Sequence, residues 1–272
     1  MKTITTFGLL AVSLLTFFLS CNKSSSDIQK SKTEPDSKMK IATLSNDSLR
    51  KIKVCTALVS ESHALDSGKE AFGNSDLFWP EDKRTLYVNF LDGDPIVQQK
   101  VMNVAKQWEN YCGLKFIFSN SPNPDITISF NEIGSWSYIG KDSKGKIPSM
   151  NYGWLNADTP QSEYDRVVLH EFGHAIGLCH EFQSSNNNPI IWDEPVVYQY
   201  YMGPPNNWTK EEVDYNLFKR YSSSEYNGTE FDPFSIMQYS LPAEFTKNGY
   251  HLSSVYKLSE TDKKFIASIY PK

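Results

Sequence analysis

Nowhere in the chain does a strongly basic run interleave with aromatic residues, and a net charge of -5 with a pI near 5.6 gives no single-signed field that would follow a phosphate backbone. Nucleic acid is therefore not an expected partner. No internal repeat appears, so a stacked-repeat architecture is not expected either. The apolar run from Phe7 to Leu19 is too short to remain in a bilayer as a spanning helix. Cysteine is scarce, with four residues, and histidine barely commoner, with five. What is plentiful is core material: 272 residues, 39% of them hydrophobic and 14% aromatic, are enough for one large globular domain or two small ones.

The N-terminus is organised differently from the rest. Lys2, the short apolar run and Ser20-Cys21 read as a secretory signal over residues 1–20. FLSC followed at once by NKSSSD resembles the lipobox of bacterial lipoproteins, in which the cysteine is lipidated and becomes the first residue, although Phe18 replaces the usual leucine. The resemblance implies a lipid on Cys21 and a place at the bacterial outer membrane or cell surface; plain secretion is the alternative. Residues 21–50 are then the lipidated cysteine and a flexible tether, because Ser, Lys, Asp and Thr with few apolar partners cannot offset their ordering entropy. Residues 51–79, with IKVCTALV and KEAFG, read as a possible pro-like segment, and residues 80–272 as the main domain. Export makes Cys55, Cys112 and Cys179 eligible for disulfides, and three cysteines cannot all pair with one another.

From Thr85 the periodicities sharpen. TLYVNFL (85–91) alternates as a half-buried strand does, and Asp94-Pro95 then opens a helix whose Val97, Val101, Val104, Trp108 and Tyr111 recur at helical spacing up to Gly113. KFIFS (115–119), DITISF (125–130) and the stretch Met150 to Leu155 read as strands. A helix is expected from near Ser162, where S-x-x-D fits a capping box, with Val168, Phe172, Ala175 and Ile176 on its packed face. Later helices are expected around Lys210 to Tyr221 and from Ser259 to Ile269.

Three of the five histidines fall within HEFGHAIGLCHE, residues 170–181. His170 and His174, four apart, project from one face of a helix, which suits two imidazoles binding one tetrahedral zinc. Glu171 sits at the edge of that face, placed to exchange a proton with a water whose pKa a zinc ion lowers to about 7. Gly177 can take the left-handed conformation that turns the chain, returning His180 as third ligand and leaving a fourth place for water. That is the working arrangement of a hydrolase.

His170, Glu171, His174, Gly177 and His180 resemble the metzincin motif in full. Ser235-Ile236-Met237-Gln238-Tyr239 looks like the clan's methionine turn, in which Met237 supports the ligands from beneath. The astacin family reads S-I-M-H-Y there, so Tyr239 matches a tyrosine that helps stabilise the tetrahedral intermediate, while Gln238 replaces a histidine. Glu181 after the third histidine and LSETDKKFIASIYP at the end fit the same family. DITISF followed by GSWSYIG resembles the clan's edge strand and the bulged loop over the cleft, where unpaired backbone groups bind an extended peptide.

The resemblance covers about Trp79 to Lys272 and implies an α+β metzincin-type zinc endopeptidase: a twisted mixed sheet with two long helices above, and an irregular lower subdomain closed by a C-terminal helix. One Zn2+ is the implied cofactor and a protein or peptide the implied partner. The alternative is an inactive surface lipoprotein that keeps the zinc and only binds. FQSSNNNPIIWDEP replaces the Arg/Asp-rich run of animal astacins, and their paired cysteines are not evident. Some metzincin zymogens block the metal with a pro-segment thiolate, a role open to Cys55. A disulfide to Cys112 or Cys179, or a buried thiol, is the stronger reading of Cys55, and Cys179 could tie the metal loop to another element.

Overall fold

The computed structural model describes residues 55–58, 77–221 and 229–272. The apolar N-terminal run, Cys21 and the polar tether lie outside the described residues. Among the described residues no helix is long and apolar enough to cross a membrane.

The core is a six-stranded sheet with strands β1 (Cys55–Leu58), β2 (Thr85–Phe90), β3 (Lys115–Phe118), β4 (Ile126–Ser129), β5 (Ser135–Tyr138) and β6 (Met150–Tyr152), in the order β1-β5-β6-β4-β2-β3. All neighbours are parallel except β5 and β6. Two helices cover one face, α1 (Pro95–Ala105), which runs on as a 3-10 turn to Asn110, and α2 (Gln161–Ala175). Asp94 caps α1 through Ile96 N–H, with Pro95 at the first helical position, as expected. Leu86, Val88, Phe116, Ile126 and Ile128 of the sheet meet Val101, Trp108, Val168 and Phe172 of the helical layer, all buried. Each such side chain contributes about 1.5–3 kcal/mol by leaving water. Phe116 and Phe172 lock the layers edge to face at 5.1 Å, and Trp108 Nε1 donates to Leu169 C=O across the helix pair.

Two expectations about the sheet and its covering helices need correction. The helix α2 starts at Gln161 with Pro160 as its N-cap, and Ser162 makes no cap. The turn before it fixes the entry, with Asn156 N–H donating to Thr159 Oγ1, so the fixed φ of Pro160 starts the helix ahead of the S-x-x-D. DITISF, moreover, is not at the edge: β4 lies between β2 and β6 with every residue buried. The strand nearer the edge is SWSY, β5, where small residues face in and aromatics out.

Below the sheet, after α2, the chain is irregular. It contains helix α3 (Glu194–Tyr201), a single turn α4 (Lys210–Val213) running into a π-helical turn at Asp214–Phe218, and α5 (Glu260–Ile269). The helix expected to reach Tyr221 thus ends at Phe218.

Asp125 ties the loops at one end of the sheet together. It accepts from Tyr87 N–H at 2.9 Å and pairs with Lys83 and Lys144, each at 2.9 Å. Burial pushes its pKa up, but the Tyr87 N–H and the two ammonium groups outweigh burial and leave it below the usual value. A carboxylate with a depressed folded pKa contributes stability that is complete above the unfolded value, about 3.9, and is lost as pH falls through the folded one. Asp125→Asn is expected to lower stability by about 2 kcal/mol at pH 7. Measured by denaturant midpoints, this deficit should close as pH drops below about 4; a deficit independent of pH would remove the charge from the explanation.

Candidate active site

The helix α2 ends in a Schellman motif. Leu178 N–H donates to Gly173 C=O at 2.9 Å and Gly177 N–H to His174 C=O at 2.8 Å, with Gly177 at φ +107°. A Cβ on Gly177 would also stand 2.4 Å from the Phe78 ring. This turn brings the third histidine back to the first two. His174 Nε2 lies 3.2 Å from His170 Nε2 and 3.2 Å from His180 Nε2. A tetrahedral zinc ion about 2.0–2.1 Å from each nitrogen sets them about 3.3 Å apart, so the three rings fit that ion.

In two of the three rings the other nitrogen fixes this presentation. His170 Nδ1 pairs with Ile236 C=O at 2.8 Å and His174 Nδ1 with Leu178 C=O at 2.7 Å, which leaves Nε2 as the donor to a metal. All three rings are buried. Burial, and for His170 and His180 the neighbouring imidazoles, holds them well below the usual histidine range, His174 at about 4. Neutral imidazoles are the metal-binding form.

Met237 packs against α2 between the first two histidines. It approaches α2 so closely that a Cβ on Gly173 would stand 2.4 Å from its sulfur. The turn carrying it is held by a residue the sequence reading passed over, Asp262, whose carboxylate accepts from Ser235 Oγ at 2.7 Å and Ile236 N–H at 2.9 Å. Asp262 also completes the Ser259 capping box of α5, a pattern visible in LSETD that by itself signals only a helix start. Glu181 spans the same region, its N–H donating to Met237 C=O and its carboxylate accepting from Asp232 N–H at 2.9 Å.

Glu171 is fully buried and, among the described residues, neither carboxylate oxygen has a hydrogen-bond partner. Burial pushes its pKa up to about 8, with Cys55 and Arg166 pulling the other way. Tyr239 Oη stands 2.6 Å from His180 Nε2 and donates to Cys55 C=O. Arg166, which sequence reading missed although it precedes His170 by one helical turn, is clamped to Glu163 through two bonds of 2.9 Å and faces Cys55. Phe182, also missed, stacks on His180 at 4.9 Å and 15°.

Cys55 belongs to β1, and its sulfur, a His170 nitrogen and a Glu171 oxygen all lie within 4.8 Å of one another. Cys55, Cys112 and Cys179 are buried and none is in a disulfide. Cys179 packs with Ala57, Leu77, Ile139 and Tyr221 in a small buried cluster.

A family model for Astacin, a peptidase family, matches residues 73–267. The chain belongs to the astacin family. It resembles zinc metalloproteinase nas-30 of Caenorhabditis elegans, 25% identical over 167 residues, which is 61% of this chain and 20% of that protein. A bone morphogenetic protein 1 homolog of Strongylocentrotus purpuratus is 26% identical over 158 residues, 55% of this chain and 22% of that protein. The chain thus spans about a fifth of these curated relatives. Among solved structures, myroilysin aligns with a TM-score of 0.68 and 39% identity over 73% of this chain and 97% of that one. High choriolytic enzyme 1, a hatching-enzyme zinc protease of Oryzias latipes, shares the fold at a TM-score of 0.51 and 16% identity over 74% and 97% of the two chains. The α+β metzincin fold is that of these neighbours.

Proposed function

We propose that this astacin-family chain is a zinc-dependent endopeptidase acting on extended protein or peptide substrates. The observation that carries the reading is the convergence of three buried imidazole nitrogens, spaced for one zinc, with the Glu171 carboxylate beside them and Tyr239 opposite. His170, His174 and His180 would hold the zinc, which would supply Lewis acidity to a water and a carbonyl. Glu171 takes the proton of the attacking water and passes it to the leaving amine. Tyr239 donates its hydroxyl hydrogen bond to the oxyanion.

In this reading the arrangement is latent. Residues 51–79 act as a pro-segment in which β1 covers Glu171 and the Cys55 sulfur blocks the metal. The support is the thiol's place within 4.8 Å of ligand and base, and the pairing of β1 with β5. Export through residues 1–20 and lipid attachment at Cys21 would hold the enzyme at a bacterial envelope on the tether, as the lipobox resemblance supports.

Glu171→Ala should retain stoichiometric zinc, read by metal analysis, and lose cleavage of a denatured protein by about 10³-fold or more. Retained cleavage would overturn the mechanism, and a wild-type chain that binds zinc and peptide yet yields no fragments would be a binding module. Cys55→Ala should give activity without proteolytic processing; unchanged latency sinks the latch. Cys21→Ser should move the protein from the membrane fraction to the soluble one, and unaltered fractionation would reject the anchor.

A further inference from the structure

The segment β1 is itself an extended peptide lying beside His170 and Glu171, between β5 on one side and Tyr239 and Asn216 on the other, so its contacts show what the groups flanking the site offer to such a chain. On one side lies β5, where Ile139 N–H donates to Leu58 C=O at 2.9 Å. Backbone groups of alternate strand residues point to opposite edges, and those of Cys55 and Ala57 turn away from β5. The Cys55 carbonyl meets the Tyr239 hydroxyl. The Ala57 N–H donates to Asn216 Oδ1 at 3.2 Å.

Asn216 is built for this contact. It is 3% exposed and sits in the π-helical turn at Asp214–Phe218, a geometry common at functional sites. Its Nδ2 donates to Glu212 C=O at 3.0 Å. An amide's orientation is set by its partners, and here a carbonyl on one side and an N–H on the other leave only one choice, with the oxygen aimed into the cleft. The turn is tied to the metal loop, since Gln183 Nε2 donates to Tyr215 C=O at 2.6 Å. Asn216 therefore keeps a fixed distance from the reacting centre.

We propose that Asn216 is a substrate-positioning residue: when β1 leaves, its Oδ1 accepts a main-chain N–H of the bound peptide, opposite Ser137 of β5, and holds the strand from its second edge. The proposal rests on the endopeptidase reading. The contact is to backbone, so it recognises an extended chain whatever its side chains. It is made equally before and during the reaction, and so acts on KM with kcat nearly unchanged.

The test uses the full chain, activated, and a peptide cut at one bond, with each non-scissile amide N–H replaced in turn by an ester oxygen. Pairing with β5 alone penalises every second amide. In the wild type one further, out-of-phase position should raise KM about five- to tenfold, the worth of one neutral hydrogen bond. Asn216→Ala should abolish that one penalty and leave the others, and Asn216→Asp, which keeps the acceptor, should restore it. The amide-to-ester ratio is taken within one enzyme, so residual competition from β1 cancels. A strictly alternating pattern in the wild type overturns the clamp even if Asn216→Ala fails to fold, as does a penalty identical in both enzymes. A peptide left uncut by the wild type rejects the endopeptidase reading instead.

Discussion

Three imidazole nitrogens, two of them set 3.2 Å from the third, are the constraint on which the rest of the structure depends. Two of the histidines come from one helical turn, but the third requires the helix to end abruptly, and that end is the left-handed Gly177. Two of the buried rings find partners for their other nitrogens. Ile236 C=O serves His170, so the turn carrying Met237 must lie against α2, and Gly173 lacks the Cβ that would keep it away. Asp262 pins that turn from α5. At the end of α5, the Tyr270 hydroxyl donates to Ile176 C=O and accepts from Trp79 N–H. The two ends of the catalytic body thus meet over the end of the metal-binding helix.

What was legible in the sequence followed from local chemistry. HEFGHAIGLCH specifies a helix, a turn and a return by spacing alone, and the Asp94-Pro95 start and the strands at 85–90, 115–118 and 126–129 announce themselves by capping and alternation. The misreadings have a common origin in tertiary context. DITISF and SWSY are both β-rich, and which of them lies nearer the edge depends on partners far away in sequence. Ser162 offers a good cap, but the turn held by Thr159 has already set the helix entry at Pro160. Arg166, Asn216 and Asp262 acquire their roles from Cys55, Ala57 and the Ser235–Ile236 turn, all remote in the chain, so no short window of sequence contains their meaning.

The placement of β1 sets Cys55–Leu58 of the 51–79 stretch against β5. A strand such as β5 with an unpaired edge is an adhesive surface, and natural proteins cover such edges. Here the cover is short, four residues, and parallel, the slightly weaker of the two pairings. Its hold comes as much from below, where Ala57 packs with Leu77, Ile139, Cys179 and Tyr221.

A cover that leans on the far wall shares its contacts with whatever replaces it. The backbone groups of β5, the Tyr239 hydroxyl and the Asn216 amide are all engaged by β1, and under the proposed function the same groups receive substrate. Tight closure and tight substrate binding then draw on one set of hydrogen bonds. Strengthening a wall deepens latency and affinity together, so the two cannot be tuned apart through the walls alone. The groups that belong to closure only are the Cys55 thiol and the side-chain packing of Ala57. Under the proposed function, residues there would set how long the site stays covered, while Asn216 and β5 would set how well an extended chain is held once β1 leaves.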